Sequence, residues 1–160
     1  MNYPEEKRPA SVIVLIAFLA FYGLLGVVSG AILIADPTGA GMGFNSDLRE
    51  SIPFQSFLPV GLFLLVVYGI GGLLLSYGAL TRKELFLGWL SERSGRHWSW
   101  TGGALMMLTL VAWLAVEGYL IGLDFAATYF TVLIGAVISM MLVLPSTRRF
   151  FLYRRCQLWD

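Results

Sequence analysis

Between Pro9 and Asp36 the chain runs for 26 residues, Ala10 to Ala35, without one charged side chain. A helix needs about 20 residues to cross the hydrocarbon core of a bilayer. A secretory leader has a shorter apolar centre, about 7–15 residues, followed by a small-residue cleavage site, so this run reads as a retained first helix. Pro9 and Ser11 suit its start. Asp36-Pro37 stops it, because the residue before proline avoids the helical region.

The feature recurs. Leu58–Leu80, Thr101–Gly122 and Phe125–Leu144 are further apolar runs of spanning length. Pro59 falls in the first turn of the second run, where proline costs little, and Pro145 ends the fourth. The chain is 58% hydrophobic and 13% charged, half the charge of an average soluble domain, about 25%. These properties predict an all-α, polytopic membrane protein: one domain over residues 1–160 with helices at 10–35, 58–80, 101–122 and 125–144. Lone Cys156 cannot form an internal disulfide.

Orientation follows from lysine and arginine. Ten of the eleven lie in the N-terminal segment, the loop 81–100 and the tail 145–160; only Arg49 lies in the loop 36–57. The asymmetry predicts both termini and loop 81–100 on the cytoplasmic side of the inner membrane, with loop 36–57 outside. Loop 81–100 should carry a short interfacial helix, because apolar residues recur at 85, 86, 89 and 90 between Arg82-Lys83 and Glu92-Arg93. Trp89, Trp98 and Trp100 suit a lipid-anchoring aromatic belt, as do Arg148, Arg149, Arg154 and Arg155 around Phe150, Phe151 and Tyr153 in the tail. Ile52, Phe54, Phe57 and Leu58 are too apolar to leave in water, so loop 36–57 should pack over the helix ends.

Gly26 and Gly30 on the first helix, and Gly118 and Gly122 on the third, have the spacing that lets helices approach closely, within one chain or between copies. The third and fourth helices should form a tight hairpin. Glu117 is the one ionisable side chain well inside a predicted span, roughly 8 Å from the outer end of the third helix. Such a residue is a functional-site candidate; the structural alternative is a bond to Tyr119, Tyr129 or Ser29. Asp36, Asp47, Glu50, Glu117 and Asp124 make the outer half acidic, which suits a cation or proton entry and equally suits loops that merely lack positive charge. Asp36 also has a plain role in the Asp-Pro-Thr-Gly turn.

Signatures of chemistry are missing from the sequence. His97 is the only histidine, no His/Cys grouping has metal-ligand spacing, and the loop glycines lack a following Lys-Ser/Thr. Basic residues lie at the membrane edges, which argues against nucleic acid. No cofactor is implied.

Asp36-Pro-Thr-Gly, the spaced glycines through Gly43, Pro53-Phe54, the Pro59-Val-Gly-Leu-Phe opening and Trp113-Leu-Ala-Val-Glu117 resemble a family of small four-helix bacterial membrane proteins, most of them hypothetical, with an Asp-Pro-Ser/Thr-Gly first outer loop. The resemblance implies topology and no activity. Where family members often carry a Leu-Gln-Pro-like turn before the last helix, Asp124-Phe125-Ala126-Ala127 stands here. The functional expectation is a non-enzymatic accessory, assembly or structural subunit, with the bilayer and other membrane subunits, or further copies of itself, as partners. The rival is an oligomeric small-solute or ion transporter or channel with Glu117 as its coupling carboxylate; Asp36 and Asp124 are the further candidate functional residues.

Overall fold

The computed structural model describes residues 8–44, 46–52, 55–83, 88–120, 122–123 and 126–152. Seven helices stand in it: α1 Ala10–Ala35, α2 Ser46–Ser51, α3 Leu58–Thr81, α4 Gly88–Ser94, α5 Trp98–Leu120, α6 Ala126–Val143 and α7 Pro145–Phe150, with a 3-10 turn at Ala40–Met42. Among the described residues there is no strand, and an isolated bridge joins Arg96 to Leu152. Four helices, α1, α3, α5 and α6, are long and apolar enough to cross a membrane. They carry large apolar side chains outward, Leu24, Val28, Leu108, Val111 and Leu133 among them, as a helix in lipid does and a helix in water does not. The protein is a multi-pass four-helix membrane protein.

The element ends have local causes. α1 stops at Asp36, whose φ of −129° and ψ of 87° are the extended values a residue before proline prefers. α6 stops likewise at Leu144, before Pro145 opens α7. α5 begins at Trp98, three residues earlier than hydropathy alone suggests, and ends at Leu120 rather than Gly122. Gly122 has a φ of +85° and no close neighbour, so it is a turn residue rather than a packing residue. A Cβ on Gly118 would first meet the side chain of Leu123 from its own hairpin, at 3.1 Å. For contacts within the chain, the helix-packing role expected of Gly122 is therefore corrected, and Gly118 packs on its own hairpin rather than on another helix face.

Gly26 and Gly30 do pack, and the partner is α3 of the same chain. A Cβ on Gly26 would lie 2.5 Å from the backbone nitrogen of Gly69, and one on Gly30 would lie 2.7 Å from that of Leu65. α1 and α3 thus run antiparallel, backbone against backbone, where a methyl group has no room. α5 approaches α3 where the Trp98 ring lies on Gly78, and α6 reaches α1 through Phe21 and Phe130, centroids 6.3 Å apart. The long core includes Leu15, Leu19, Tyr22, Tyr68, Met106 and Ile138.

Both ends of the bundle are capped. Loop 36–57 packs: buried Ile52 and Phe57 join Leu33 in a second core, with Phe44 against Phe57 at 4.9 Å. Pro53 and Phe54 lie outside the described residues. At the basic end, loop and tail form one layer. The His97 amide donates to the Phe151 carbonyl at 2.8 Å, and the Arg82 guanidinium lies 4.5 Å over the Phe150 ring while donating to the Phe150 carbonyl. Thr147, fully buried, donates to Ser11 Oγ at 2.9 Å and so ties α7 to the start of α1.

Trp98 belongs to this layer. It is 2% exposed, its indole N–H donates to the Lys83 carbonyl at 3.0 Å, and its amide donates to Ser91 Oγ at 2.8 Å. A ring that finds both its packing and its hydrogen bond inside the protein does not anchor it in lipid, which corrects that expectation for Trp98. Trp100 is partly buried; its indole N–H donates to the Leu142 carbonyl and the Arg96 guanidinium lies over its ring. Trp89 is outward on α4, and Arg148 and Arg149 are exposed on α7. A short helix expected at 85–90 is present as α4 from Gly88; residues 84–87, Arg154 and Arg155 lie outside the described residues.

Candidate functional site

Helix α3 changes winding in its middle. Leu64–Ile70 is π-helical, a form that is rare and gathers at functional sites. The stretch carries Tyr68, 2% exposed, whose hydroxyl is buried without a hydrogen-bond partner. Such a group in a tightly packed interior calls for an explanation. Its ring meets Tyr22 of α1 at a centroid distance of 5.3 Å and takes Phe63 edge-on at 5.4 Å. Phe63 in turn stacks on Trp113 of α5 at 4.9 Å. A continuous run of aromatic rings therefore crosses the bundle from α1 through α3 to α5.

Glu117 stands one turn after Trp113 on the same helix. It is partly buried, and Thr128 of α6 donates its hydroxyl to Glu117 Oε1 at 2.5 Å. Thr128 is itself 5% exposed. Each of the four spanning helices thus contributes to one of two polar pairs: Tyr22 with Tyr68, and Glu117 with Thr128.

Sequence reasoning singled out Glu117 and missed the other three. Thr128 takes the place expected of Ser29, Tyr119 or Tyr129; Tyr119 is 90% exposed and Tyr129 62%. A signal for Thr128 existed. In a tight antiparallel hairpin turning at Gly122 and Leu123, positions 117 and 128 are equidistant from the turn and face each other. Nothing in hydropathy marks Tyr22 or Tyr68, because a tyrosine in a span reads the same whether it faces lipid or core.

Asp36 belongs to neither pair. It lies past the end of α1, roughly 20 Å along the axis from Tyr22 at 1.5 Å per residue. Its Oδ1 accepts from the Thr38 hydroxyl at 2.6 Å and the Thr38 amide at 3.1 Å, and its Oδ2 accepts from the Gly41 amide at 2.9 Å. The Thr38 hydroxyl first, then the Gly41 and Thr38 amides, hold its carboxyl below the ordinary aspartate value. Both oxygens are spent on the turn, which leads into Gly39 at φ +81°, where any side chain would strike Phe57 and Phe44. Asp124 lies outside the described residues.

The contents of the two pairs set their chemistry. The two pairs contain one carboxyl and three hydroxyls, and the tyrosines stand in a run of aromatic rings. Among the described residues no group of three or more His, Cys, Asp or Glu could hold a metal ion. His97 Nδ1 meets Ser99 Oγ at 2.8 Å and also accepts the Ser99 amide, which is a local contact at the start of α5, buried beside Phe151. The chain matches no family model, no curated protein and no solved structure.

Proposed function

We propose that this protein is a non-enzymatic accessory or assembly subunit of a membrane complex, held in the cytoplasmic membrane with both termini inside. The observation that carries the reading is the closed interior. α1 and α3 touch backbone to backbone at Gly26 and Gly69, and rings fill the space from Tyr22 to Trp113. A bundle closed in this way offers surfaces rather than a passage. Its outward faces are apolar along all four spans, which suits lipid and neighbouring helices alike. Orientation rests on the ten-to-one distribution of basic residues, and kinship with the small four-helix bacterial family rests on the first-loop motif.

Purification from native membranes in mild detergent tests the reading. A stable complex with other membrane proteins supports it; a homo-oligomer that carries solute in a pH-linked way contradicts it. Orientation has its own test: a cysteine at Ser46 should react with an impermeant reagent added to intact cells, and reaction only after permeabilisation would reverse the topology. A second reading, transport by an oligomer with Glu117 as coupling carboxylate, draws on one observation, the partly buried Glu117 carboxyl held by Thr128 across the α5–α6 hairpin.

A further inference from the structure

We propose that the angle between α6 and α7 is a selective binding site for one anionic phospholipid, with an acyl chain in the groove at their junction and the phosphate on Arg148 and Arg149.

The groove has a local cause. Leu144 has a φ of −54° and a ψ of 134°, so the helical path breaks there and α7 leaves α6 at an angle. In that angle lies an open groove of about 410 Å³, lined by Ser139, Met140, Val143, Leu144 and Pro145. Its volume falls in the range of ligand sites, about 300–1,000 Å³. Ser139, Met140 and Val143 stand three and four residues apart, on one face of α6. Met140 and Val143 are exposed, so the described chain leaves that face open. α6 has 18 residues, about 27 Å at 1.5 Å per residue, slightly less than the hydrocarbon core of about 30 Å. Its last turn, and the groove with it, therefore lies where acyl chains meet headgroups.

α7 supplies the charge. Pro145, in the groove wall, and Arg149 are four residues apart and share one face of α7. The Arg148 amide donates to the carbonyl of Leu144, another groove residue, at 2.9 Å, which sets Arg148 one turn beyond it. Both arginines are exposed, and neither has a side-chain partner among the described residues. Other guanidiniums at this end are engaged: Arg8 donates to the Leu80 carbonyl, Arg82 to the Phe150 carbonyl, and Arg96 lies over the Trp100 ring. The platform is fixed, because on the inner side of α7 buried Thr147 donates to Ser11 Oγ and Phe150 joins the core.

Charge and depth select the occupant. An apolar groove that opens to lipid takes an acyl chain, and guanidinium groups pair with phosphate through charge-assisted, often bidentate hydrogen bonds. A zwitterionic lipid brings its own cation beside the phosphate, which offsets the attraction; an anionic lipid does not. A second copy docked here about a two-fold axis would gather both arginine pairs around one small groove, where like charges repel.

This site is independent of the accessory reading and of the side that the basic end faces. Its test is native mass spectrometry of the full chain, delipidated in mild detergent and titrated with phosphatidylglycerol or with phosphatidylcholine of the same acyl chains. The first phosphatidylglycerol should bind about tenfold tighter than phosphatidylcholine, since two basic residues act on it. The double variant Arg148→Gln, Arg149→Gln should bring it down to the phosphatidylcholine level, whereas Arg93→Gln, on α4, should leave it unchanged. Val143→Trp, which fills the groove and keeps both arginines, should weaken it too. Glycerol phosphate, with the charge and no chain, should not compete. All four positions are exposed, where substitution disturbs folding little. Equal affinities for the two lipids would overturn the proposal, as would an unchanged affinity in the double variant or in Val143→Trp. An equal loss in Arg93→Gln would overturn it as diffuse charge, and competition by glycerol phosphate as a phosphate site without a lipid. A lipid-free dimer abolished by Val143→Trp would overturn it in favour of a second copy.

Discussion

Gly26→Ala tests the α1–α3 contact on which the rest of the bundle is hung. The added Cβ would sit 2.5 Å from Gly69 N and 2.8 Å from the Tyr68 carbonyl carbon, and both are backbone atoms that no rotamer change can move. Ordinary contact begins at 3.4 Å, so the helices must part by 3.4 − 2.5, or 0.9 Å, at their closest point. Overpacking of this kind costs about 1–3 kcal/mol, and alanine returns up to ~1 kcal/mol through its better helix propensity. The net loss is about 1–2 kcal/mol, a fall of roughly 5–30-fold in the folded-to-unfolded ratio. Gly71→Ala is the control, because its only close neighbour is the Val66 carbonyl at 3.5 Å, an ordinary contact. Reversible unfolding in mixed micelles with rising dodecyl sulfate, read by tryptophan fluorescence, should show Gly26→Ala destabilised and Gly71→Ala unchanged or stabilised. If Gly26→Ala matches Gly71→Ala, the helices do not meet backbone to backbone and the packing argument fails.

Trp98→Ala should cost about 3–5 kcal/mol in the same assay, the price of emptying a buried tryptophan site, whereas a lipid-facing anchor would lose far less. Thr128→Val should cost about 1–3 kcal/mol by stripping Glu117 Oε1 of its donor, and Thr128→Ser should restore most of it. Asp36 gives a pH signature. Its folded pKa is lowered, so its contribution to the turn is complete above the ordinary aspartate value, about 3.9, and is lost as pH falls through the lowered one. Protection of the Gly41 amide against hydrogen exchange, corrected for the intrinsic rate, should therefore decline on acidification, and Asp36→Asn should remove that pH dependence.

The four spans were legible because run length is a direct consequence of bilayer thickness, and residues 10–35 match α1 end to end. The packed first loop was legible from Ile52 and Phe57, which are too apolar for water and are both buried. Helix partners were not. Gly26 and Gly30 announced a close approach, but the answering face of Gly61, Gly69 and Gly72 is chosen by tertiary packing, and Gly118 and Gly122 carry the same spacing without the contact. Trp98 misled for a related reason: an indole beside basic residues fits a headgroup belt as well as a protein pocket, and only the vacancy over Gly78 decides between them. Glu117 stood out as a charge within a span, while Tyr22 and Tyr68 were concealed among apolar neighbours and in a π-helical stretch that no periodicity marks.

The central structural claim is that the four helices pair their inward polar side chains, Tyr22 with Tyr68 and Glu117 with Thr128. Magic-angle-spinning NMR of the uniformly 13C-labelled protein in bilayers tests it directly. Glu117 Cδ should show a cross-peak to Thr128 Cβ, and the Tyr22 and Tyr68 ring carbons should show cross-peaks to each other, as the 2.5 Å hydrogen bond and the 5.3 Å ring contact require. A Glu117 carboxyl that correlates with bulk water or lipid headgroups, and with no carbon of Thr128, would contradict the account.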